Sequence, residues 1–289
     1  MRELRGRTAV VTGAASGIGR ALAVELAREG CRLAISDVNE AGLQETARMA
    51  QALGAEVWHE RLDVADRQAV HAYADRVAAQ FGGVQLVVNN AGVALGATVE
   101  LMRYEDLDWL MGINFWGVVH GTKAFLPHLQ KADEGHIVNI SSIFGIIGVP
   151  TQSAYNAAKF AVRGFTEALR QELAVEGSRV SVTCVHPGGI KTNIARSSRF
   201  GDSGVFAAMQ GDRENVSQRF DQIARTSPEQ AARVIIDAVR DNRRRLLIGR
   251  DAKVVDFLQR LFPTGYQRIA ETLTRRRLAA ERERATQRA

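Results

Sequence analysis

The sequence predicts a doubly wound α/β domain: a mostly parallel sheet between two layers of helices (three-layer α/β/α), continued by an amphipathic helical extension at the C-terminus. Three observations predict it. Short apolar, β-branched runs alternate with longer segments of helical period along most of the chain. A glycine-rich turn joins the first run to the first helical segment. The 289 residues, 46% hydrophobic and 24% charged, suffice for one large core and are too apolar for wholesale disorder.

Thr8–Val11 is the first strand, and it runs into Gly13. Ile18, Ala21, Leu22, Glu25 and Leu26 then follow i, i+3, i+4, i+7, i+8 spacing, an amphipathic helix with one charged intruder. Cys31–Ser36 is the next strand and Glu40–Leu53 the next helix. Val57–Leu62, Arg67–Phe81 and Val84–Val88 continue the alternation. One long helical region covers Tyr104–Gln130, and His136–Ile140 reads as strand. Ser153–Glu176 is helical, Arg179–Val185 is strand, Pro228–Arg240 is helical and Leu246–Ile248 is a last short strand. Right-handed crossovers make such a chain a doubly wound sheet, with ligands bound beyond the carboxyl ends of its strands.

Composition excludes several classes. Cys31 and Cys184 sit in apolar runs as small hydrophobes, which argues against a disulfide framework and for a reducing, cytoplasmic setting. No apolar h-region follows the charged N-terminus, because Thr12, Gly13 and Ser16 interrupt the run. The longest stretch without Asp, Glu, Lys or Arg, Gly135–Ala158, holds too many polar residues and breakers to span a bilayer. No His, Cys, Asp and Glu cluster has zinc-site spacing, so no metal is expected. The charge is lopsided: residues 240–289 carry 14 Lys/Arg against 6 Asp/Glu, the rest 24 against 26. The pI near 9.7 therefore belongs to the tail.

The turn after the first strand reads Thr12-Gly13-Ala14-Ala15-Ser16-Gly17-Ile18-Gly19. Its glycines permit a tight turn and let a pyrophosphate approach the amides that open the next helix. The spacing is G-x-x-x-G-x-G and lacks the Gly-Lys-Ser/Thr ending of an ATPase P-loop. Asp37 closes the second strand, 18 residues after Gly19. A carboxylate there accepts hydrogen bonds from ribose hydroxyls and repels a 2′-phosphate. No Arg or Lys lies among Ala14–Ser16, and Val38 and Asn39 are uncharged, so NAD is expected over NADP.

With these residues in view, the chain over roughly Gly6–Gly249 resembles the short-chain dehydrogenase/reductase family, whose fold is of Rossmann type. Gly13, Ser16, Gly17, Ile18 and Gly19 look like its cofactor motif, and Asp63-Val64 like its adenine-contacting pair after the third strand. Asn89-Asn90-Ala91-Gly92 resembles its motif after the fourth strand, and Asn114 falls where the family has a helix asparagine. Ser142, Tyr155 and Lys159 match its catalytic Ser…Tyr-x-x-x-Lys. Pro187-Gly188, Ile190 and Thr192 resemble the stretch that holds the nicotinamide. The resemblance implies that Tyr155 and Lys159 also contact the cofactor, Lys159 at the nicotinamide ribose, and that Asn114 holds a water linking Lys159 to solvent. It also implies a homodimer or homotetramer.

The chemistry is intelligible from the residues. Tyr155 and Lys159 are four apart on a helix and share a face. A nearby ammonium is expected to lower the tyrosine pKa from about 10 toward the working range, so that Tyr155 exchanges a proton with the substrate oxygen. Ser142, just past a strand, offers a hydroxyl to that oxygen. His186 reads as a strand-end packing residue rather than a catalytic one. Apolar Val93–Ala97 and Ile143–Val149, with Phe206 and Met209 in a flap at 189–226, suit an apolar secondary alcohol or ketone. Lys191, Arg196, Arg199 and Arg213 in that flap argue the other way. A non-catalytic NAD-sensing or interaction protein on the same scaffold is the alternative.

Domain organisation follows: residues 1–249 form the catalytic domain and residues 250–289 a basic helical extension. Val254, Val255, Phe257, Leu258, Leu261 and Phe262 make an apolar stripe, Pro263-Thr264-Gly265 breaks it, and Tyr266, Ile269, Ala270 and Leu273 resume it. Packing on the chain's own domain or on a neighbouring subunit and peripheral membrane contact are both open. Nucleic-acid binding is not expected, since the tail has no interleaved set of aromatic residues for base stacking.

Overall fold

The computed structural model describes residues 1–194, 198–200 and 224–288, with no account of the side chains of residues 277, 278 and 280–288. The first half holds β1 (Thr8–Thr12), α1 (Gly17–Arg28), β2 (Arg32–Asp37), α2 (Glu40–Gln51), β3 (Val57–Arg61) and α3 (Arg67–Phe81). The second opens with β4 (Leu86–Asn89), a two-residue β5 (Leu95–Gly96), α4 (Tyr104–Met111) and α5 (Gly117–Lys131). It continues through β6 (Gly135–Ile140), α6 (Ser153–Val175), β7 (Val180–Pro187), β8 (Arg199–Phe200), α7 (Pro228–Arg240) and β9 (Arg245–Ile248). The C-terminal helices are α8 (Arg250–Leu261) and α9 (Gly265–Arg288).

Seven strands pair in the order β3-β2-β1-β4-β6-β7-β9, all in parallel. A parallel sheet is buried on both faces, and the strands show why theirs is. Ala9, Val11, Val88 and Val138 face the side of α1 and α7, where Leu22, Leu26 and Ile235 pack. Val10, Val87, Ile137 and Val182 face the side of α3, α5 and α6, where Tyr73, Phe125 and Leu129 pack. The strand order reverses between β1 and β4, which makes the carboxyl ends of these strands the switch-point crevice.

The helical region expected over about Tyr104–Gln130 is present without a break, but a π-turn at Gly112–Trp116 divides it into α4 and α5. The cause is the Asn114 side chain, whose amide donates to the Val93 carbonyl and whose oxygen accepts from the Val93 amide, each at 2.8 Å. Such an insertion needs a wider turn, and π-turns of this kind concentrate at functional sites. The ladder of β5 with β8 is too short to leave a periodic signal in sequence. Most of the 189–226 flap, including Phe206, Met209, Arg196 and Arg213, lies outside the described residues. Cys31 and Cys184 are free and buried, and burial pushes both thiols up to about 12, so neither is a nucleophile at neutral pH.

A buried polar ladder crosses the sheet just below its carboxyl edge. Asn89 at the end of β4 donates to Asn139 on β6 at 2.8 Å and to Thr122 on α5 at 3.2 Å, and Asn139 donates to Thr166 on α6 at 3.1 Å. Helix α5 approaches so closely that a Cβ at Gly121 would stand 2.1 Å from Asn89 Oδ1. Gly121→Ala is therefore expected to lower the unfolding free energy by about 2 kcal/mol or more through overpacking of the ladder. Gly164→Ala, in α6 with nothing within 4 Å, is expected to raise it by about 0.5–1 kcal/mol. Denaturant midpoints of the two variants check this, and equal effects would contradict it.

Candidate active site

The site is assembled at the carboxyl edge by five loops. At the first, Gly13 and Gly17 have positive φ, 67° and 55°. A Cβ at Gly13 would lie 2.7 Å from Ala91 Cα, and one at Gly19 would lie 2.1 Å from the Gly13 carbonyl oxygen. Only glycines fit this cradle, which opens α1 with no acidic residue in its first turn. Ser16 is exposed at the helix start and Ile18 half-buried behind it. Asp37 braces the turn: its carboxylate accepts from the Ala15 amide and from the Asn39 amide, both at 2.9 Å. Arg20, one turn into α1, donates to the carbonyls of Ala15 and Gly42.

Two further loops close around it. Asp63 is exposed and accepts from the Ala65 amide at 2.9 Å, while Val64 is buried beneath Gly117. Thr12 Oγ1 accepts from the amides of Asn90 and Ala91, both at 3.1 Å, and the Asn90 side chain donates to the carbonyls of Thr12 and Gly13. The Asn90 amide group thus fastens the glycine turn to the end of β4. Gly92 leaves the next space open: a Cβ there would be 3.3 Å from Asn114 Oδ1 and 3.6 Å from Lys159 Nζ, so both groups face one spot. The side-chain amide of Asn114 is itself engaged by Val93.

The fourth loop follows β6. Ser142 is extended and nearly buried, its hydroxyl accepts from the Phe144 amide at 3.1 Å, and it lies near enough to Tyr155 to favour the phenolate slightly. Lys159, 3% exposed, donates to the Ile140 carbonyl at 2.9 Å and stands 5.6 Å from the Tyr155 ring centroid. The tyrosine pKa runs against the expected fall. Burial pushes Tyr155 up to about 12, against a smaller lowering by Ser142, and pushes Lys159 down to about 8. The fifth loop carries Pro187 and Gly188 at the end of β7, buried Ile190, and Thr192, whose methyl group lies over Gly17.

Three residues that the sequence reading passed over hold these loops. Asn156, next to Tyr155, donates to the carbonyls of Phe144 and Ile147 and accepts from the Val149 amide, fixing the apolar wall. An inward asparagine on a helical stripe was the available signal. Asp251 on α8 accepts from the Gly189 amide at 2.6 Å, and a Cβ at Gly188 or Gly249 would collide with its carboxylate. Tyr266 on α9 accepts from the Gly148 amide at 3.1 Å. His186 packs at its strand end and also reaches the Ser142 carbonyl through Nδ1 at 3.0 Å. Arg199 turns onto Asp106 at 3.1 Å and stacks over Trp109. Among the described residues no group of three His, Cys, Asp or Glu is placed to hold a metal, and no helix is long and apolar enough to cross a membrane.

Comparison with known proteins gives a consistent picture. A profile of the short chain dehydrogenase family matches residues 7–202. A protein of Mycobacterium tuberculosis that bears the name oxidoreductase SadH is 52% identical over 270 residues, 93% of this chain and 95% of that one. Estradiol 17-beta-dehydrogenase 11 of Macaca fascicularis is 34% identical over 197 residues, 68% of this chain and 66% of that one. A crystal structure of a short chain dehydrogenase/reductase from Burkholderia phymatum in complex with NAD superposes with a TM-score of 0.84 at 31% identity, covering 91% of this chain and 95% of that one.

Burial lowers His186 from its ordinary 6.5 to about 4. Between those values the unfolded chain binds a proton that the folded chain does not, so stability is full above pH 6.5 and falls as the pH drops toward 4, by up to about 3 kcal/mol from this group. His186→Asn is expected to flatten the stability-against-pH slope in that window, measured by denaturant unfolding. An unchanged slope would contradict the neutral, buried assignment.

Proposed function

The chain belongs to the short-chain dehydrogenase/reductase family of oxidoreductases, and from that premise we propose that it interconverts an apolar secondary alcohol and its ketone with NAD, using Tyr155 for the proton. The observation that carries this is the gathering of Tyr155, Ser142 and buried Lys159, whose ammonium lies 5.6 Å from the Tyr155 ring centroid, beside a cradle in which Gly13 and Gly19 leave no room for a Cβ. The residues fit the cofactor. Gly13, Gly17 and Gly19 with the α1 amides suit a pyrophosphate, and Asp37 suits ribose hydroxyls, with the Arg20 guanidinium engaged by the carbonyls of Ala15 and Gly42. Asp63, Val64, Asn90, Ala91, Gly92, Pro187, Gly188, Ile190 and Thr192 complete its wall in this reading. NAD, when bound, supplies the acceptor for the hydride leaving the carbinol carbon.

The remaining chemistry belongs to the chain. In reduction Tyr155 gives its hydroxyl proton to the carbonyl oxygen, whose charge Ser142 shares by hydrogen bonding. The Lys159 ammonium stabilises the phenolate left behind, and Asn114 and Lys159 facing one spot by Gly92 suit a water through which the proton is restored. In oxidation the same steps run backwards, and Tyr155 must first be deprotonated. Half-buried Val93, Ile143, Phe144, Ile147 and Val149 suit a hydrocarbon substrate, as does kinship with a protein named for estradiol.

Tyr155→Phe is expected to lower turnover of a panel of apolar secondary alcohols by about 10²–10⁴-fold while leaving NADH affinity within about twofold. Because Tyr155 sits well above its ordinary 10 while Lys159 loses its charge near 8, alcohol oxidation by the unaltered chain is expected to rise with pH up to about 8 and to level off beyond it. Full turnover by the variant, or oxidation that falls as pH rises, would contradict the assignment.

A further inference from the structure

Helix α8 is turned inside out. Its inward face carries Ala252, half-buried Val255 and Asp256, the last only 8% exposed and paired with Arg245 at 2.6 Å and Arg260 at 3.0 Å. Its outward face carries Val254, Phe257, Leu258 and Leu261 at i, i+3, i+4, i+7, with Phe262 next. Phe257 is 60% exposed, Phe262 58% and Leu261 55%, and Ile269 and Leu273 extend the apolar surface along α9. Isolated exposed apolar side chains are ordinary, but a continuous stripe with two phenylalanines marks a surface that meets something apolar.

Charge says what. On the 100° per residue wheel, Arg250 lies within the stripe at its start and Lys253 and Arg260 border one side, all exposed. The acids of α8 face the protein: Asp251 holds the Gly189 amide and Asp256 its two arginines. Beyond the Pro263 corner, Arg268, Arg275 and Arg276 are exposed, with Glu271 as the one exposed acid through residue 276, 3.9 Å from Arg275. A second copy would bring this cationic rim against itself, whereas a layer of anionic headgroups over acyl chains matches both rim and stripe. We propose that the α8–α9 corner docks the protein on an anionic lipid surface, lying in the interface with Phe257, Leu261 and Phe262 among the upper acyl chains. The corner is one hydrogen bond, Tyr266 to Gly148, from the apolar loop after β6.

The test is flotation of the full chain with phosphatidylcholine vesicles, with and without phosphatidylglycerol. The expected result is recovery with the anionic vesicles, weakened by salt, and little with the neutral ones. The Phe257→Ser/Leu261→Ser/Phe262→Ser variant is expected to bind the anionic vesicles at least about tenfold more weakly, with NADH affinity as a check that the fold is kept. Three results would overturn the proposal. They are no recovery with anionic vesicles, equal recovery of the triple variant, and a dimer in sedimentation that the triple substitution dissolves without any lipid binding.

Discussion

The docking of α6 onto the end of β6 is the constraint on which the site depends. Lys159 is held almost without solvent, and its ammonium is tied to the Ile140 carbonyl. Keeping that charge in so dry a place costs about 3 kcal/mol, judged by its fall from 10.5 to about 8. The helix is nonetheless locked there. Ser141 donates to the Lys159 carbonyl at 2.8 Å, and Gly145 must be glycine because a Cβ would meet both groups. Once α6 is fixed, Tyr155 is set beside the loop after β6 that carries Ser142, and Asn156 pulls the apolar part of that loop into place.

The same helix reaches the rest of the sheet through the buried amide ladder from Asn89 to Thr166. Its amide donors are paired, while Asn89 Oδ1 is buried without a hydrogen-bond partner. The ladder sets the spacing of β4, β6, α5 and α6 beneath the crevice, while Asn90 and Thr12 fasten the glycine turn above it. The C-terminal helices are tied into this arrangement through Asp251 on the loop after β7 and Tyr266 on the loop after β6.

Much of this was legible in the sequence, and the misses have physical causes. Arg67–Phe81 and Pro228–Arg240 were readable to the residue, since Asp66 and a Ser227–Gln230 capping box mark their starts. The parallel strands declared themselves as apolar runs buried on both faces. The π-turn at Gly112–Trp116 was not readable, because a one-residue insertion barely disturbs apolar spacing and its cause lies 21 residues away at Val93. The sequence named Ser142, Tyr155 and Lys159 but misjudged the tyrosine pKa. Spacing reveals proximity to an ammonium, not the burial that pushes the phenol up. Asp251 and Tyr266 escaped because a tail's contacts with distant loops leave no periodic trace.

The most direct measurement is a paired titration of the purified protein with NADH and NADPH, followed by nicotinamide fluorescence. The account predicts saturable binding with NADH clearly the tighter, since the glycine cradle is braced by a carboxylate at Asp37 and Arg20 is turned onto backbone carbonyls. Tighter binding of NADPH would contradict the reading of Asp37. Saturable binding of neither would contradict the assignment of the cradle itself.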